Sequence, residues 1–489
     1  MGRYMEKEAT AALAEFAASL TYEAIPERVR QYCKDLLLDA LACAHAGHAG
    51  EETHQVAALA SALAQSREST IVGGGRLSLA GATLLNGYLI TAVTMCDAHR
   101  PTMTHITPEV VPPALAIAER DALSGRDLLV ALAAGFEVTT RIGIGVDFAE
   151  FRARGWHGPG IFGPFGAAAA VGRLLRFDAD TMACAFGLAG SQAAGTFAAW
   201  GTPTVKFHQC RGALSGLLAA LLAHEKFVAT REFLTARDGG MYSSYVSSGR
   251  PQAALADLGE RWELEQIALR PWPAASSIQG LITAIFDIVG SRDIDPARVK
   301  AVRIGLSKSV FDLHGNFSKY RGKFEALLSA HYVAAAILHD RELTLAQFEP
   351  TRYDDPELRS FAELVEVRAE SDLRGVAARV VVEDVDGDWL SARCDQPLGA
   401  PQNKLSRGQI ETKFRTYAAG RLSQAAIDDV IGAVVRLEHL ASVRELTDGL
   451  RAEQSGAFTS VSQPGSTNSA PARAAAYDGT YPIGRRPIR

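Results

Sequence analysis

Gly166-Ala167-Ala168-Ala169-Ala170-Val171-Gly172 is a run of small side chains inside a longer apolar segment, 163–175. The spacing of apolar positions predicts a helix there. Small residues let helix backbones approach closely, which places this helix at the centre of an all-α body. The same spacing predicts helices over 12–20, 29–46, 52–65, 80–95, 110–122, 125–144, 180–194 and 212–224. Asp178 and Asp180 are start signals for one of them. Residues 1–268 therefore read as the first part of a large helical domain.

The pattern changes after residue 268. Val299-Lys300-Ala301-Val302-Arg303-Ile304-Gly305-Leu306 alternates at period two and predicts a strand, as do 364–367, 376–383 and 389–394. Asp386-Gly387 is a hairpin signal between the last two. Helical spacing at 277–289 and 324–339 lies among these strands, so 269–398 reads as a smaller α+β domain. Helical spacing returns at 406–417 and 423–440, and 399–452 is expected to rejoin the first domain, making the α+β unit an insertion. Residues 453–489 are rich in Ser, Ala, Pro and Gly, and a disordered tail is expected there. The fold class expected is mainly α.

Composition narrows the function. The chain has 489 residues, long enough for two domains or more. It is 47% apolar and 21% charged, as globular proteins are. A net charge of −5 and a pI near 6.2 argue against a nucleic-acid partner. No apolar run reaches membrane-spanning length. The N-terminus turns acidic at Glu6 and lacks a secretory pattern. Six scattered cysteines with no Cys-x-x-Cys pair speak against a disulfide framework or structural zinc, and a cytoplasmic location is expected.

Four stretches can carry chemistry. Cys96-Asp97-Ala98-His99-Arg100-Pro101-Thr102-Met103-Thr104-His105 places one carboxylate and two imidazoles in a loop after an apolar helix. Such a set suits acid/base work near neutral pH or, less simply, local hydrogen bonding. No His-x-x-x-His pair supports a metal, and none is expected. Gly155-Trp156-His157-Gly158-Pro159-Gly160 puts a His among glycines before a helix, where a backbone can approach a ligand. Lys206-Phe207-His208-Gln209-Cys210-Arg211 gathers cationic groups just before the helix predicted at 212, an unfavourable place for positive charge unless something holds it. Leu269-Arg270-Pro271-Trp272-Pro273-Ala274-Ala275-Ser276-Ser277-Ile278-Gln279 opens the α+β domain, with Arg270 either in a cleft or on a linker surface.

Ordered along 8–450 are Leu37-Leu38-Asp39-Ala40-Leu41-Ala42-Cys43, Asp97…Thr104-His105 with Pro112-Pro113-Ala114, Gly155-Trp156-His157-Gly158, Gly187-Leu188-Ala189-Gly190-Ser191-Gln192, Lys206-Phe207-His208 and Gly239-Gly240-Met241-Tyr242. This set resembles the MmgE/PrpD family, which includes 2-methylcitrate dehydratase, cis-aconitate decarboxylase and iminodisuccinate epimerase. The resemblance implies a helical domain with an α+β lid, a homodimer, and lyase or epimerase chemistry on small di- and tricarboxylates without metal or cofactor. It implies Asp97, His105, His157, Lys206 and Tyr332 as catalytic positions. It further implies His99, His208, Arg270 and Gln279 as substrate-binding positions. On this reading His105 or His157 is the base. Lys206 and Arg270 stabilise negative charge. The second His or Tyr332 protonates a leaving hydroxide, and Asp97 orients an imidazole.

There are departures. Cis-aconitate decarboxylases carry histidines after the proline that corresponds to Pro273, where this chain has Ala275 and Gln279, and Arg270 stands for a lysine. Gln is no general acid, and Arg favours a bidentate carboxylate clamp. The loop Arg100-Pro101-Thr102-Met103 differs from the acidic, aromatic loop of methylcitrate dehydratases. The expected function is a lyase that dehydrates, or decarboxylates, a small carboxylate. The alternatives are an epimerase and an inactive carboxylate-binding relative.

Overall fold

The fold is mainly α, and its centre is where small residues predict it. The computed structural model describes residues 4–316, 320 and 322–452. The helix Pro159–Leu174 is buried at every position except Arg173. It packs against Gly125–Ile144 and Thr204–His224. A Cβ on Gly166 would lie 1.7 Å from Thr139 Oγ1 and 2.5 Å from the Gly135 carbonyl oxygen, so these backbones meet only because the side chain is missing. The expected tail at 453–489 lies outside the described residues.

Two hydrophobic cores form. The larger draws on residues between Tyr4 and Leu269 and again between Leu405 and Leu450. The smaller draws on residues between Ala274 and Cys394. In the smaller core a four-stranded sheet runs in the order Val365–Ala369, Val299–Leu306, Ala378–Asp384, Trp389–Cys394. The first pair is parallel and the others antiparallel. Gly387 sits at φ 88° in the predicted hairpin, a conformation that glycine adopts freely. The helix Gln279–Ser291 packs on the last two strands.

Two helices differ from the sequence pattern. The helix expected at 212 begins at Thr204, because its first turns bury the polar Lys206 and Gln209 and so show no apolar stripe. Lys206, His208 and Arg211 are therefore inside the helix. The helix expected over 324–339 is broken into Lys323–Leu328 and Ala330–Asp340. Ser329 is extended at ψ 114°, and its hydroxyl accepts from the Tyr332 N–H at 3.0 Å, capping the second piece.

Candidate active site

The site is a cavity of about 120 Å³ between the two cores. That is well below the roughly 300 Å³ at which drug-sized ligands fit, and suits a molecule of a few carbons. The larger core contributes His105, His157 and Lys206, while Ser277, Phe324 and Leu328 come from the smaller. Arg270 lies at the crossing between them.

The loop after Cys96 is held from both ends. The buried Asp97 carboxylate accepts from the N–H groups of Ile106 and Thr107 at 2.8 and 3.0 Å, and from the Thr107 hydroxyl. It thereby satisfies the start of the helix Thr107–Arg120. Burial pushes this carboxyl above its ordinary range, and the donors pull it partly back. Ala98–His99 pairs antiparallel with Ile267–Ala268. That ladder brings Arg270 against the loop, where its Nε donates to the Cys96 carbonyl and Nη1 to the Ala274 carbonyl at 3.2 Å. Lys413, from the returning helix Arg407–Ala418, donates to Asp39 at 2.6 Å and to the Arg270 carbonyl at 2.9 Å. This buried tie joins both chain segments beneath the site, and no motif in the sequence marks Lys413.

His105 Nδ1 lies 2.6 Å from the Asp97 carbonyl oxygen. A carbonyl only accepts, so Nδ1 carries the hydrogen and Nε2 carries the free lone pair. Asp97 thus meets the imidazole through its backbone carbonyl and not through its carboxylate. Burial and then the Arg270 charge lower the His105 pKa to about 3, which keeps the ring neutral at physiological pH.

His157 stands at the turn before Pro159–Leu174. A Cβ on Gly158 would meet Thr104 Oγ1 at 2.7 Å, so that glycine lets the 97–105 loop lie directly against the His157 turn. His157 Nδ1 is 2.9 Å from His208 Nδ1. One ring donates and the other accepts, so the neutral pair holds one proton between them. Burial lowers the His157 pKa to about 3, with His208, His105 and Arg152 adding to the effect. Arg211 straps the turn by donating to the carbonyls of Gln192, Gly160 and Ala194 at 2.7, 2.9 and 2.6 Å. Those carbonyls are what hold its charge near a helix start.

Lys206 Nζ is 3.5 Å from Glu52 and 5.1 Å from the centre of the Phe324 ring. Burial lowers its pKa and the nearby Glu52 opposes that. Arg152, which sequence reasoning missed, adds a third cation. Its guanidinium lies 3.3 Å over Phe197, and Phe197 stacks on Trp200 at 4.8 Å. No carboxylate among the described residues pairs with Arg152 or Arg270. Nothing in the sequence pattern marks Arg152, which sits in the short helix Phe148–Ala153.

Five expected site residues do not line the cavity. The Asp97 carboxylate caps a helix, as above. His99 is fully buried, with Nδ1 2.7 Å from Thr102 Oγ1 and Nε2 3.2 Å from Glu263, and it ties the loop to the residues beneath it. Gln279 donates to the carbonyls of Trp272 and Ala274, both at 3.3 Å, bracing the chain that carries Arg270. Tyr332 is buried in the smaller core between Tyr320 and Phe348, and its hydroxyl donates to the Gln347 carbonyl. Its place as a proton donor to substrate is corrected accordingly, because the hydroxyl is already spent on that carbonyl. His208 reaches the cavity through His157 and does not line it.

Among the described residues, no group of three or more His, Cys, Asp or Glu side chains is placed to hold a metal ion. No helix among them is long and apolar enough to cross a membrane. The MmgE/PrpD N-terminal domain matches residues 11–254, and the MmgE/PrpD C-terminal domain matches 272–437. The chain belongs to the MmgE/PrpD family. Arg270, which lines the cavity, lies in the stretch between the two matched domains, just before the second begins at residue 272. Among relatives, the chain is 28% identical to the cis-aconitate decarboxylase-like protein oryM of Aspergillus oryzae, over 90% of this chain and 97% of that protein. It is 25% identical to a cis-aconitate decarboxylase of Aspergillus terreus, over 90% and 95%. It is 27% identical to the human cis-aconitate decarboxylase, over 91% and 95%.

Proposed function

We propose that the protein is a lyase that eliminates water from a small di- or tricarboxylate, using acid/base chemistry of its own side chains. The observation that carries this reading is the cavity's charge. It faces Arg152, Lys206 and Arg270, two of them without a carboxylate partner, beside imidazoles that burial keeps neutral. Such a cavity attracts a small polyanion and holds a base that is free of its proton.

In this reading Arg270 and Arg152 hold carboxylates of the substrate. His105 Nε2 takes the proton from a carbon next to a carboxylate, and the developing negative charge is met by Arg270. The C–O bond then breaks with its electron pair on oxygen. A neutral imidazole would have to become an imidazolate to protonate that oxygen. The Lys206 ammonium does not face this difficulty, since burial already makes it a stronger acid. Its proton completes a water molecule. His105 leaves the step charged and Lys206 neutral, so charge balances within the site. The His157–His208 pair supplies hydrogen bonds that keep the substrate in register.

A second reading is decarboxylation. It is favoured by the names of the relatives at 25–28% identity over nearly the whole chain. Proton NMR in heavy water with citrate, methylcitrate, cis-aconitate and malate separates the readings. A new alkene with the carbon count retained supports dehydration, and loss of one carbon as carbon dioxide supports decarboxylation. Deuterium entering an α-position without net product would replace both with an epimerase. Thermal stabilisation by an acid that is never turned over would replace them with a carboxylate binder.

A further inference from the structure

A serine and a histidine that neither the family resemblance nor the reading above uses meet at the cavity wall. Ser277 lines the cavity from the smaller core, in the turn Ser276–Ile278. Its Oγ lies 2.6 Å from His314 Nε2. His314 is fully buried at the end of the helix Lys308–His314, and its Nδ1 lies 2.9 Å from the Leu328 carbonyl oxygen. The carbonyl fixes the tautomer, because it only accepts. Nδ1 therefore bears the hydrogen, and Nε2 accepts the proton of the Ser277 hydroxyl. The Ser277 lone pairs are left for whatever occupies the cavity. Nucleophile or base, its partner imidazole and a third group that orients the imidazole are the three parts of an activated serine.

We propose that Ser277, backed by His314, is a second proton-transfer group of this cavity. Ser277 Oγ takes a proton from the bound acid as its own hydroxyl proton passes to His314 Nε2; the reverse sequence returns the proton. The substrate C–H bond breaks as a new O–H bond forms at Ser277, and the old Ser277 O–H bond breaks as an N–H bond forms at His314 Nε2. The C–H electron pair stays on the substrate, and the imidazolium keeps both hydrogens in place. No group has to turn, since after transfer Nδ1 still donates to Leu328 and Nε2 donates to Ser277. Burial lowers the His314 pKa to about 4, so the ring rests neutral and open to a proton. The Trp200 ring stands edge-on at 6.4 Å and connects this wall to Phe197 and His157. Ser277 is the catalytic residue of the relay and His314 its positioning residue. With His105 from the larger core and Ser277 from the smaller, the acid is met by a proton acceptor from each side of the interface.

Catalytic use of the relay rests on the lyase reading, so its test has one arm that needs no substrate. Full-length wild type, Ser277→Ala and His314→Asn are compared after melting curves show each folded. Asn keeps an N–H for Leu328 and has nothing at the Nε2 position. In the first arm each is treated with methanesulfonyl fluoride. The Ser277 Oγ–S bond forms, the S–F bond breaks, fluoride leaves and the hydroxyl proton goes to His314. Wild type is expected to carry one adduct on the Ser277 peptide, and His314→Asn to form it about 100-fold more slowly. Equal rates in the two proteins, or no adduct on wild-type Ser277, overturn the relay. In the second arm, on an acid that wild type turns over, Ser277→Ala should lower kcat about 100-fold while KM stays within about threefold. Unchanged kcat overturns the catalytic role. Should wild type turn over none of the acids while Ser277 labels in a His314-dependent way, the lyase reading fails and the activated serine stands.

Discussion

Replacing Asp97 separates two ways in which a carboxylate can matter to this site. As a chemical group it would touch substrate or an imidazole. As a structural group it holds the first turn of the helix Thr107–Arg120 and, through that turn, the loop that presents His105. Its side chain is fully buried, and all its contacts are the Ile106 and Thr107 donors. Asp97→Ala leaves two buried N–H groups without acceptors, each worth roughly 1–3 kcal/mol, for a loss of about 3 kcal/mol. In a domain of this size that lowers the melting temperature by roughly 3–5 °C. Asp97→Asn keeps the shape, and its carbonyl oxygen accepts from one donor while its NH2 faces the other, at a cost of about 1–2 kcal/mol. Since the carboxylate never meets the cavity, Asp97→Asn should retain turnover within about tenfold, well short of the 10²–10⁴-fold loss that follows removal of a general acid or base. Melting curves and NMR progress curves on the same preparations test this. An Asp97→Asn protein that melts like wild type and has lost turnover a thousandfold would refute the structural role.

Three further outcomes follow from the packing and the charges. Gly166→Ala drives a Cβ to 1.7 Å from Thr139 Oγ1 and should destabilise by about 3 kcal/mol, whereas Gly408→Ala, on an open helix face, should stabilise by about 0.5–1 kcal/mol; urea titrations measure both. Arg270→Met should weaken binding of cis-aconitate by roughly 10–100-fold in calorimetry, the loss of one charge-assisted pair. Stability should fall with acid. His45, His48, His105, His157 and His314 are held neutral by burial, with folded pKa values of about 3 to 4 below an ordinary 6.5. Above pH 6.5 neither state binds these protons. As the pH falls the unfolded chain takes them first, so each histidine costs about 1.4 kcal/mol per pH unit down to its folded value. Glu109 acts in the opposite sense, because burial holds its carboxyl well above the ordinary range and the folded state keeps that proton. Burial raises the carboxyls of Asp35, Glu51, Asp97 and Asp287 as well. Unfolded carboxyls take their protons near about pH 4, below the window from pH 5 to pH 7, whereas unfolded histidines take theirs near about 6.5, inside it. The five histidines therefore dominate, and the urea midpoint should be lower at pH 5 than at pH 7. A midpoint that rises would contradict the burial of these rings.

The helical body was legible because its determinants are local. Gly166 to Gly172 and the 3.6-residue spacing state the packing directly, and the alternation of Val299–Leu306 states the strand. Helix starts that bury polar residues were not legible. Lys206 and Gln209 look like loop residues until a cavity is placed beside them. Nor does sequence say where a side chain points. His105, His157, Lys206 and Arg270 reach the cavity, while His99, Gln279 and Tyr332 spend their polar atoms on neighbours. Arg152 and Ser277 carried no signal, since their roles depend on contacts with Phe197 and His314 that are distant in the chain. Ser277 lies within the stretch that drew attention to Arg270, but only the position of His314 gives it chemistry.

The chemistry of the site rests on the Asp97 carbonyl, which fixes His105 as a neutral ring with its hydrogen on Nδ1 and a basic Nε2 in the cavity. Nitrogen-15 NMR of the histidine-labelled protein at pH 7, with His105 assigned by His105→Gln, tests this most directly. The expected spectrum shows a protonated Nδ1 and an unprotonated Nε2. An imidazolium at pH 7, or the hydrogen on Nε2, would contradict it.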